Sequence, residues 1–429
     1  MTAFGAVLGL IIAIILIMRK ANPAYSLILG AIIGGLAGGV SLPETVNLMV
    51  SGVKDVTPAI VRILTAGILA GILIKTEAAT KIAETIIDTL GEKRAIFALA
   101  LSALILTAIG VFIDVAVITV SPIALAIAKR LKISKMAMLC AMIGGGKSGN
   151  IISPNPNTIA AAENFGAPLP SVMWVNIIPA IVGLFATILI AKLLVEKGEK
   201  VLENEIEQSS GENLPSFFGS IIGPIVTISL LALRPIAGIN IDPLIALPVG
   251  GLVGIVAMGK TSKLKESMEY GLQKMSGVAI LLIGTGTVAG IIKNSTLKDV
   301  ILSLLGKANI SEQLIAPIAG ALMSGATAST TAGATIASAT FSGVILAAGV
   351  SAVWGAAMVN SGATVLDHLP HGSFFHSTGG ASNIKLEERL KLIPYESAIG
   401  FVLALSTFVT YLVIGWKKML KNFSASFFI

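Results

Sequence analysis

The sequence is poor in charge. Of its 429 residues, 12% are Asp, Glu, Lys or Arg, whereas an average soluble domain carries about 25%. Aromatic residues make up only 5%, and the mean hydropathy is +0.91. A chain of this length with so little charge cannot cover its surface in water. Its composition therefore excludes a soluble fold and predicts an all-α integral membrane protein embedded in a lipid bilayer.

Cysteine is nearly absent, and the positive charge is dispersed. The single cysteine, Cys140, excludes an internal disulfide. The net charge of +7 comes from short basic clusters between apolar runs, which is the pattern of the positive-inside rule rather than of a nucleic-acid surface. The first apolar run, 4–18, is followed by Arg19 and Lys20, on the wrong side for a signal peptide. The run 4–18 is therefore predicted to be a membrane span that is not cleaved off.

Apolar runs recur along almost the whole chain, with lengths near the roughly 17–25 residues that cross a bilayer as helix. Ten of them predict full spans: 4–18, 24–40, 58–74, 136–162, 172–194, 217–233, 243–258, 276–292, 350–366 and 395–416. The longest polar interruption predicts a linker between two halves. The predicted organisation is a first repeat over 1–195, a linker over 196–216, a second repeat over 217–416 and a basic tail over 417–429.

Two apolar stretches do not fit a simple spanning helix. The segment 95–128 is broken at Gly110 and again around Ser121-Pro122, and both of its flanks are basic. A segment that starts and ends on the same basic side is predicted to be a re-entrant hairpin. The segment 313–348 has a centre of Ser, Thr, Ala and Gly, which suits backbone lining a polar cavity at membrane depth.

The two halves align in residue type, order and spacing. Each contains about five full crossings, one hairpin and one broken span. Repeats with an odd number of crossings in one chain enter the membrane in opposite orientations, as in many secondary transporters. The sequence therefore predicts an inverted-repeat transporter with about ten full spans and two re-entrant helical hairpins. The alternative explanation is that Gly- and Ala-rich helices resemble one another by composition.

Each half also contains an interrupted span, over about 136–165 and about 350–370. In the first, three glycines precede Lys147, and alternating prolines and asparagines follow, a pattern that is predicted not to continue as helix. Lys147 is a candidate to neutralise a substrate carboxylate. The neutral hydrogen-bonding residues at the four breaks are candidate substrate contacts: Ser148, Asn150, Asn155, Asn157, Thr158, Ser329, Thr330, Thr331, Asn360, Ser361 and Thr364.

Ionisable residues at membrane depth are costly and usually functional, and Asp114 in the first hairpin is the clearest example. We interpret it as a coupling carboxylate that is reversibly protonated; the alternative is a helix cap. Asp367 and His368 are further candidates for ion coupling, because histidine titrates near neutral pH. All three histidines lie in one short segment, but nothing completes a tetrahedral set, so no metal site is predicted.

Other functional classes fit less well. Neither His-Glu-x-x-His nor Gly-x-Ser-x-Gly is present, so a membrane enzyme is not expected. The run Gly144-Gly145-Gly146-Lys147-Ser148 resembles a Walker motif, but position 141 is alanine, which breaks its spacing. An ion channel stays open as an alternative, although two opposed hairpins favour alternating closure. A secondary transporter is the main prediction.

Three segments resemble the gluconate permease (GntP) family of the ion-transporter superfamily. They are Phe112-Ile113-Asp114-Val115, residues 149–160 and the Ser/Thr/Ala-rich segment 324–339. The resemblance implies an elevator-type proton symporter for sugar acids or related hydroxy acids, working without a cofactor as a homodimer in the bacterial cytoplasmic membrane. Sodium is the alternative coupling ion.

The chain also departs from the gluconate-type members. Those members carry glutamate at the position of Asp114 and a Pro-Pro-His-Pro segment where this chain has Ser153-Pro154-Asn155-Pro156. They also lack the histidine cluster after Asp367. These departures count against gluconate itself and leave D-glycerate, D-serine or another small hydroxylated carboxylate as the expected substrate.

Overall fold

The computed structural model describes residues 1–205, 214–300, 303 and 311–426. Part of the predicted linker, 206–213, and the end of the predicted basic tail, 427–429, lie outside the described residues. Within the described residues the chain is helical and forms no β-strand, apart from one isolated bridge between Ser134 and Lys200. The prediction of an all-α fold is confirmed.

The described helices follow one another closely. In the first half they are α1 (Ala3–Met18), α2 (Pro23–Ala37), α3 (Leu42–Lys75), α4 (Ala78–Leu90), α5 (Ala95–Ala108), α6 (Ile113–Leu131), α7 (Lys135–Asn150), α8 (Pro156–Asn164), α9 (Leu169–Val175) and α10 (Ile177–Leu193). In the second half they are α11 (Phe217–Ala237), α12 (Pro243–Ala257), α13 (Leu264–Lys293), α14 (Ile315–Thr327), α15 (Thr330–Ala347), α16 (Ala352–Gly362), α17 (Ser373–Ala381), α18 (Leu386–Lys391) and α19 (Ile393–Ser426). The order of helix pairs, long helix, hairpin and interrupted span is the same in both halves. The opposite orientation of the halves stays a prediction.

The segment 95–128 forms two helices, α5 and α6, that turn back on each other. Gly110 makes the turn at a φ of 108°, a conformation that favours glycine. The two outer ends lie side by side, because Arg130 Nη2 is 2.6 Å from Glu92 Oε1. The second break predicted near Ser121-Pro122 is wrong, since α6 runs through Pro122. The Ser121 hydroxyl there donates to the carbonyl of Val117, the residue one turn back.

The second hairpin consists of α14 and α15. Ala328 adopts a φ of 47° at the turn, and the Ser329 hydroxyl then accepts a hydrogen bond from the backbone N–H of Ala332, which caps α15. This side-chain oxygen satisfies one of the N–H groups that a helix leaves unpaired at its start. Whether either hairpin re-enters the membrane on one side stays a prediction.

The first interrupted span breaks later than the sequence indicates. The three glycines and Lys147 are helical, and α7 ends only at Asn150. The reason is packing against α5. A Cβ atom at Gly145 would lie 2.0 Å from the carbonyl oxygen of Ala100, and one at Gly149 would lie 2.1 Å from that of Leu104. Close helix contact through small residues outweighs the low helix propensity of glycine.

The break itself covers 151–155, and α8 starts after the Asn155 side chain accepts a hydrogen bond from the backbone N–H of Thr158. Pro156 occupies the first helical position, where its missing N–H is no loss. In the second half, the corresponding irregular segment runs from 363 to 372, between α16 and α17.

Two long helices, α3 and α13, pack along each other. Both extend beyond the predicted spans 58–74 and 276–292, because their polar first halves are also helical, and the Ser41 side chain caps the start of α3. Backbone contact replaces side chains at their crossing. A Cβ atom at Gly52 would lie 2.1 Å from the Gly286 carbonyl oxygen, and one at Gly290 would lie 2.1 Å from that of Leu48.

By length and composition, four of the described helices can cross a membrane: Leu42–Lys75, Thr261–Lys293, Thr330–Ala347 and Leu386–Ile414. A fifth is possible if Leu169–Val175 and Ile177–Leu193, bent by 45°, form one span. The predicted count of ten full spans stays a prediction. Helix α19 continues to Ser426, past the boundary predicted at 417, and the separate basic tail stays a prediction.

The start of the predicted linker packs on α7. The buried Lys135 Nζ lies 2.5 Å from Glu205 Oε1 and donates to the Asn383 carbonyl oxygen at 2.8 Å. Lys385 donates a hydrogen bond to Glu199, and this bond together with the negative charge raises the pKa of Lys385 above its ordinary value. The linker is thus attached to the loop after α17 as well as to α7.

Candidate functional site

The two hairpin turns and the two interrupted spans meet at one cavity of about 210 Å³. Its walls are formed by Phe112, Ile113, Asp114, Asn150, Val278, Ser329, Thr330, Thr331, Asp367, Ser373 and Phe374. Six of the predicted site residues are therefore brought together: Asp114, Asn150, Ser329, Thr330, Thr331 and Asp367. The four breaks that the sequence singled out, far apart along the chain, form a single site.

Three helices begin at the cavity wall. They are α6, α15 and α17, whose first residues Ile113, Thr330 and Ser373 line it. The residues before α6 and α17, Phe112 and Gly372, make no side-chain capping bond. Within the described residues, the N–H groups in the first turns of α6 and α17 are therefore left without a side-chain acceptor. Helix N-termini of this kind carry partial positive charge and favour anions.

Asp114 lies in the first turn of α6 and is half-buried. Within the described residues its carboxylate makes no hydrogen bond and no ion pair, although it faces the cavity. A carboxylate that caps its own helix would accept backbone N–H bonds, and this one accepts none. The cavity therefore holds a carboxyl group whose partner is not supplied by the described part of the chain.

Behind the cavity lies a buried ion pair. Lys147 Nζ is 2.7 Å from Asp367 Oδ1, and it also donates to the Thr364 carbonyl oxygen at 2.6 Å. Both side chains of the pair are almost completely shielded from solvent. Lys147 does not line the cavity, and its charge reaches the site only through Asp367.

His368 is fully buried beside this pair. Its Nδ1 lies 2.9 Å from Lys147 Nζ and 3.0 Å from Asp367 Oδ1, while Nε2 lies 3.0 Å from the Ile393 carbonyl oxygen. An Nε2–H that donates to this carbonyl leaves Nδ1 as an acceptor for Lys147. If Nδ1 takes a proton, it becomes a donor to Asp367 instead. Protonation of His368 would therefore exchange its partner.

Arg389 and Glu396 form a second buried ion pair. Arg389 donates to Glu396 with both terminal nitrogens, and both side chains are buried. The Arg389 guanidinium also lies over the Phe375 ring, 4.5 Å from its centroid. Sequence reasoning missed this pair. The available signal was Glu396, a carboxylate at the start of an otherwise apolar closing span.

Four of the remaining predicted residues form a hydrogen-bonded network just beside the cavity. Asn157 donates to Asn360 at 2.7 Å, and Asn360 donates to the Thr158 hydroxyl at 3.1 Å. The Thr158 hydroxyl donates to Asn155 at 2.9 Å, and Asn155 donates to Asn150 on the cavity wall. The network joins the first interrupted span to the second.

The hydroxyl groups of three predicted residues donate to nearby backbone carbonyl oxygens. The hydroxyl of Ser148 donates to the Gly144 carbonyl oxygen, that of Ser361 to Met358 and that of Thr364 to Ser361. None of them lines the cavity. Conversely, the apolar wall residues Phe112, Val278 and Phe374 carry no polar signal in the sequence and were missed.

The other two histidines each bond to a different backbone carbonyl oxygen. His371 Nε2 lies 3.3 Å from the Ala326 carbonyl oxygen, and His376 Nε2 lies 2.8 Å from that of Pro370. Across the part of the chain that the structure describes, no group of three His, Cys, Asp or Glu side chains is placed to hold a metal ion.

The profile of the family described as GntP family permease matches residues 1–414. The chain belongs to the GntP permease family. The resemblance read from the three sequence segments is therefore confirmed. As a GntP permease the chain is a transporter and a multi-pass membrane protein, and not an enzyme.

Relatives of this GntP permease include an uncharacterized transporter of Haemophilus influenzae, 55% identical over 97% of this chain and 99% of its own length. The high-affinity gluconate transporter of Escherichia coli is 22% identical over 90% of this chain and 94% of its own length. The fold is similar to the crystal structure of the YdaH transporter of Alcanivorax borkumensis. The TM-score is 0.68 at 14% identity, over 87% of this chain and 89% of that one.

Proposed function

We propose that this GntP permease is a proton symporter that imports a small hydroxylated carboxylate, such as a sugar acid, glycerate or a D-serine-like molecule. The observation that carries the proposal is the meeting of three helix N-termini, two of them without a side-chain cap, with the unpaired carboxylate of Asp114 in one cavity. The helix N-termini suit an anion, and the carboxylate of Asp114 suits a proton.

The substrate carboxylate binds at the N-termini of α6 and α17, where backbone N–H groups and the helix dipoles stabilise negative charge. The hydroxyl groups of the substrate bind to neutral donors and acceptors on the other walls, namely Asn150, Ser329 and Thr331. The gluconate transporter among the relatives is consistent with a polyhydroxylated acid of this kind.

Coupling follows from electrostatics. An anion and an ionised Asp114 in the same cavity of about 210 Å³ repel each other, so anion binding favours the protonated, neutral carboxyl. Proton and substrate therefore bind together and leave together. Thr330 connects the cavity to Asp367, and through it to Lys147 and His368, which can hold or pass the proton. Lys147 balances the charge of Asp367 and acts on the substrate only indirectly.

The movement we propose is of the elevator type, in a homodimer in the bacterial cytoplasmic membrane. The hairpins and interrupted spans carry the substrate as one unit, since the Asn157–Asn360 bond and the shared cavity join them. The long helices α3 and α13, in contact through their backbones, form the static part.

Uptake into proteoliposomes tests the proposal. Protein is reconstituted with an imposed pH gradient, an imposed sodium gradient or neither, and accumulation of radiolabelled gluconate, glycerate and D-serine is measured. We expect accumulation above the external concentration with the pH gradient alone. Accumulation driven only by the sodium gradient would identify sodium, and not the proton, as the coupling ion. Simple equilibration in every condition would indicate a channel.

Substitution of the coupling carboxylate provides the second arm. Asp114→Asn keeps the shape of the side chain but cannot release a proton. We expect it to lose proton-driven accumulation while it retains exchange of internal for external substrate. Full proton-driven accumulation by Asp114→Asn would show that Asp114 does not couple transport.

A further inference from the structure

A groove separate from the substrate cavity lies at the basic end of the first hairpin, where α5 begins and α6 and α10 end. Its volume is about 760 Å³, and its walls are mainly apolar. Phe97, Phe185, Ile188 and Leu189 form much of the surface. Phe185 and Leu189 are exposed over more than half of their surface, 62% and 65%.

Three cations stand at the rim of this groove: Lys93, Arg94 and Lys192. All three are exposed, and within the described residues none of them pairs with a carboxylate. The acidic residue on the rim, Glu92, is engaged by Arg130 at 2.6 Å. The neighbouring basic residues therefore keep a net positive charge at the entrance.

The charged and apolar parts are ordered along the helix axes. Lys93 and Arg94 directly precede α5, and Lys192 lies in the last turn of α10. Phe185, Leu189 and Lys192 are spaced four and three residues apart, so they share one face of α10. That face is an apolar stripe that ends in a cation. A ligand that fits it has a negative head and an apolar tail.

We propose that this groove is a binding site for one anionic phospholipid. The lipid phosphate contacts Lys93, Arg94 and Lys192, and an acyl chain covers Phe185 and Leu189. Basic pockets between membrane helices bind acidic lipid head groups in this way. A zwitterionic lipid would bring an ammonium group close to the same three cations, so we expect the site to select against it.

Binding of purified protein in mild detergent tests the proposal. The apparent melting temperature and native mass spectra are recorded with added phosphatidylglycerol, with phosphatidylcholine of the same acyl chains, and with glycerol 3-phosphate. We expect phosphatidylglycerol alone to raise the melting temperature and to remain bound in the gas phase. Equal effects of phosphatidylcholine would contradict charge selection, and an effect of glycerol 3-phosphate would indicate a site for free phosphate esters.

The decisive comparison uses two triple variants of equal charge. Lys93→Gln/Arg94→Gln/Lys192→Gln removes the rim charges, whereas Arg19→Gln/Lys20→Gln/Lys391→Gln removes three exposed charges elsewhere. Three juxtamembrane cations correspond to about a hundredfold in affinity for acidic lipid. We therefore expect the first variant to bind phosphatidylglycerol at least tenfold more weakly, and the second to bind as the natural sequence does. Equal affinities for the two variants would overturn the proposal.

A measurement on the unaltered chain keeps the test independent of folding. Phosphatidylglycerol with a photoreactive group in its acyl chain is cross-linked to the protein in vesicles, and the labelled peptides are identified. We expect label on peptides that contain Phe185, Leu189 or Phe97. Label confined to other helices, including the case in which a second copy of the chain covers the groove, would also overturn the proposal.

Discussion

Thr330, the first residue of α15, donates a hydrogen bond from its hydroxyl to Asp367 Oδ2 at 2.5 Å. Both residues line the cavity, and Asp367 also belongs to the buried pair with Lys147. This single bond therefore connects the turn of the second hairpin to the break in the second interrupted span.

Replacement of this threonine tests the connection. Thr330→Val keeps the shape but leaves one Asp367 oxygen without its donor, which costs about 1–3 kcal/mol for a buried polar group. We expect a lower melting temperature in detergent and proton-driven uptake reduced at least tenfold. Thr331→Val is the matched control for stability, because no hydrogen bond of its hydroxyl exists within the described residues. Equal melting temperatures for both variants would contradict the role of the bond.

Substitutions of Lys147 and Asp367 should have non-additive effects on stability. Removal of one partner leaves the other charge buried and unpaired, at a cost of about 3–5 kcal/mol. Lys147→Met and Asp367→Leu should each reduce folded yield strongly, whereas the double variant should recover most of it. Yield and melting temperature, measured for all four proteins, check this. A double variant less stable than both single variants would show that the pair is not the dominant interaction.

The bond between Asn157 and Asn360 predicts coupling between the two interrupted spans. The distance between the donor and acceptor atoms is 2.7 Å, and both side chains are buried. A double-mutant cycle with Asn157→Ala and Asn360→Ala should give an interaction energy of about 0.5–3 kcal/mol in stability. We also expect the substrate KM to rise in each variant, since Asn150 on the cavity wall belongs to the same network. Strictly additive effects would mean that the spans are independent.

Much of this site follows from residue types at the four breaks. Asp114, Asn150 and the Ser329–Thr331 run were identified because polar groups inside apolar segments have few structural uses. The pairing of Lys147 with Asp367 could not be identified in this way, because a tertiary contact between two distant segments leaves no local pattern. The same holds for Val278, an ordinary apolar residue of α13 that lines the cavity only through packing.

The fold shows the same division. Gly110 marks a turn that sequence and structure share, since its positive φ is a local property of the backbone. Gly145 was misread as a helix breaker, because its role depends on Ala100 of another helix. Glycine considered alone destabilises a helix. It is compatible with a stable helix when a neighbouring backbone fills the missing side-chain volume.

That neighbouring backbone makes a prediction of its own. Gly145→Ala forces α5 and α7 apart, and overpacking of this kind costs roughly 1–3 kcal/mol. We expect a clear loss of thermal stability. Gly277→Ala in α13 is the matched control, because a Cβ atom there meets nothing within 4 Å. It should be neutral or slightly stabilising, since alanine favours helix by about 1 kcal/mol over glycine. The same loss in both variants would contradict the packing explanation.

Arg62 of α3 links two parts that the proposed movement separates. It pairs with Glu163 at the end of α8 and with Asp242 at the start of α12, the latter at 2.7 Å. Glu163→Gln breaks only the contact to α8. Ala167 lines the same cleft as Arg62, Glu163 and Asp242. With Cys140→Ala and Ala167→Cys added as a reporter there, we expect labelling by maleimide to be about fivefold faster, the equivalent of about 1 kcal/mol.

The reporter result depends on which contact is lost. Asp242→Asn in the same background weakens the contact of Arg62 with the start of α12 instead and should leave the labelling rate unchanged. Equal acceleration by both substitutions would show that the cleft responds to any loss of charge around Arg62, and that Glu163 does not hold α8 in this position.

The backbone contact between α3 and α13 also has a consequence for biosynthesis. The helix with Gly52 leaves the ribosome and enters the lipid long before Gly290 is translated, because the rest of the first half, the linker, α11 and α12 lie between them. Until then its glycine face has only lipid beside it, and lipid tails cannot fill that shallow surface as closely as another backbone does. The nascent first half is thus an intermediate in which α3 still lacks its packing partner α13. Ribosome stalling near the linker should leave this intermediate exposed to membrane quality-control proteases.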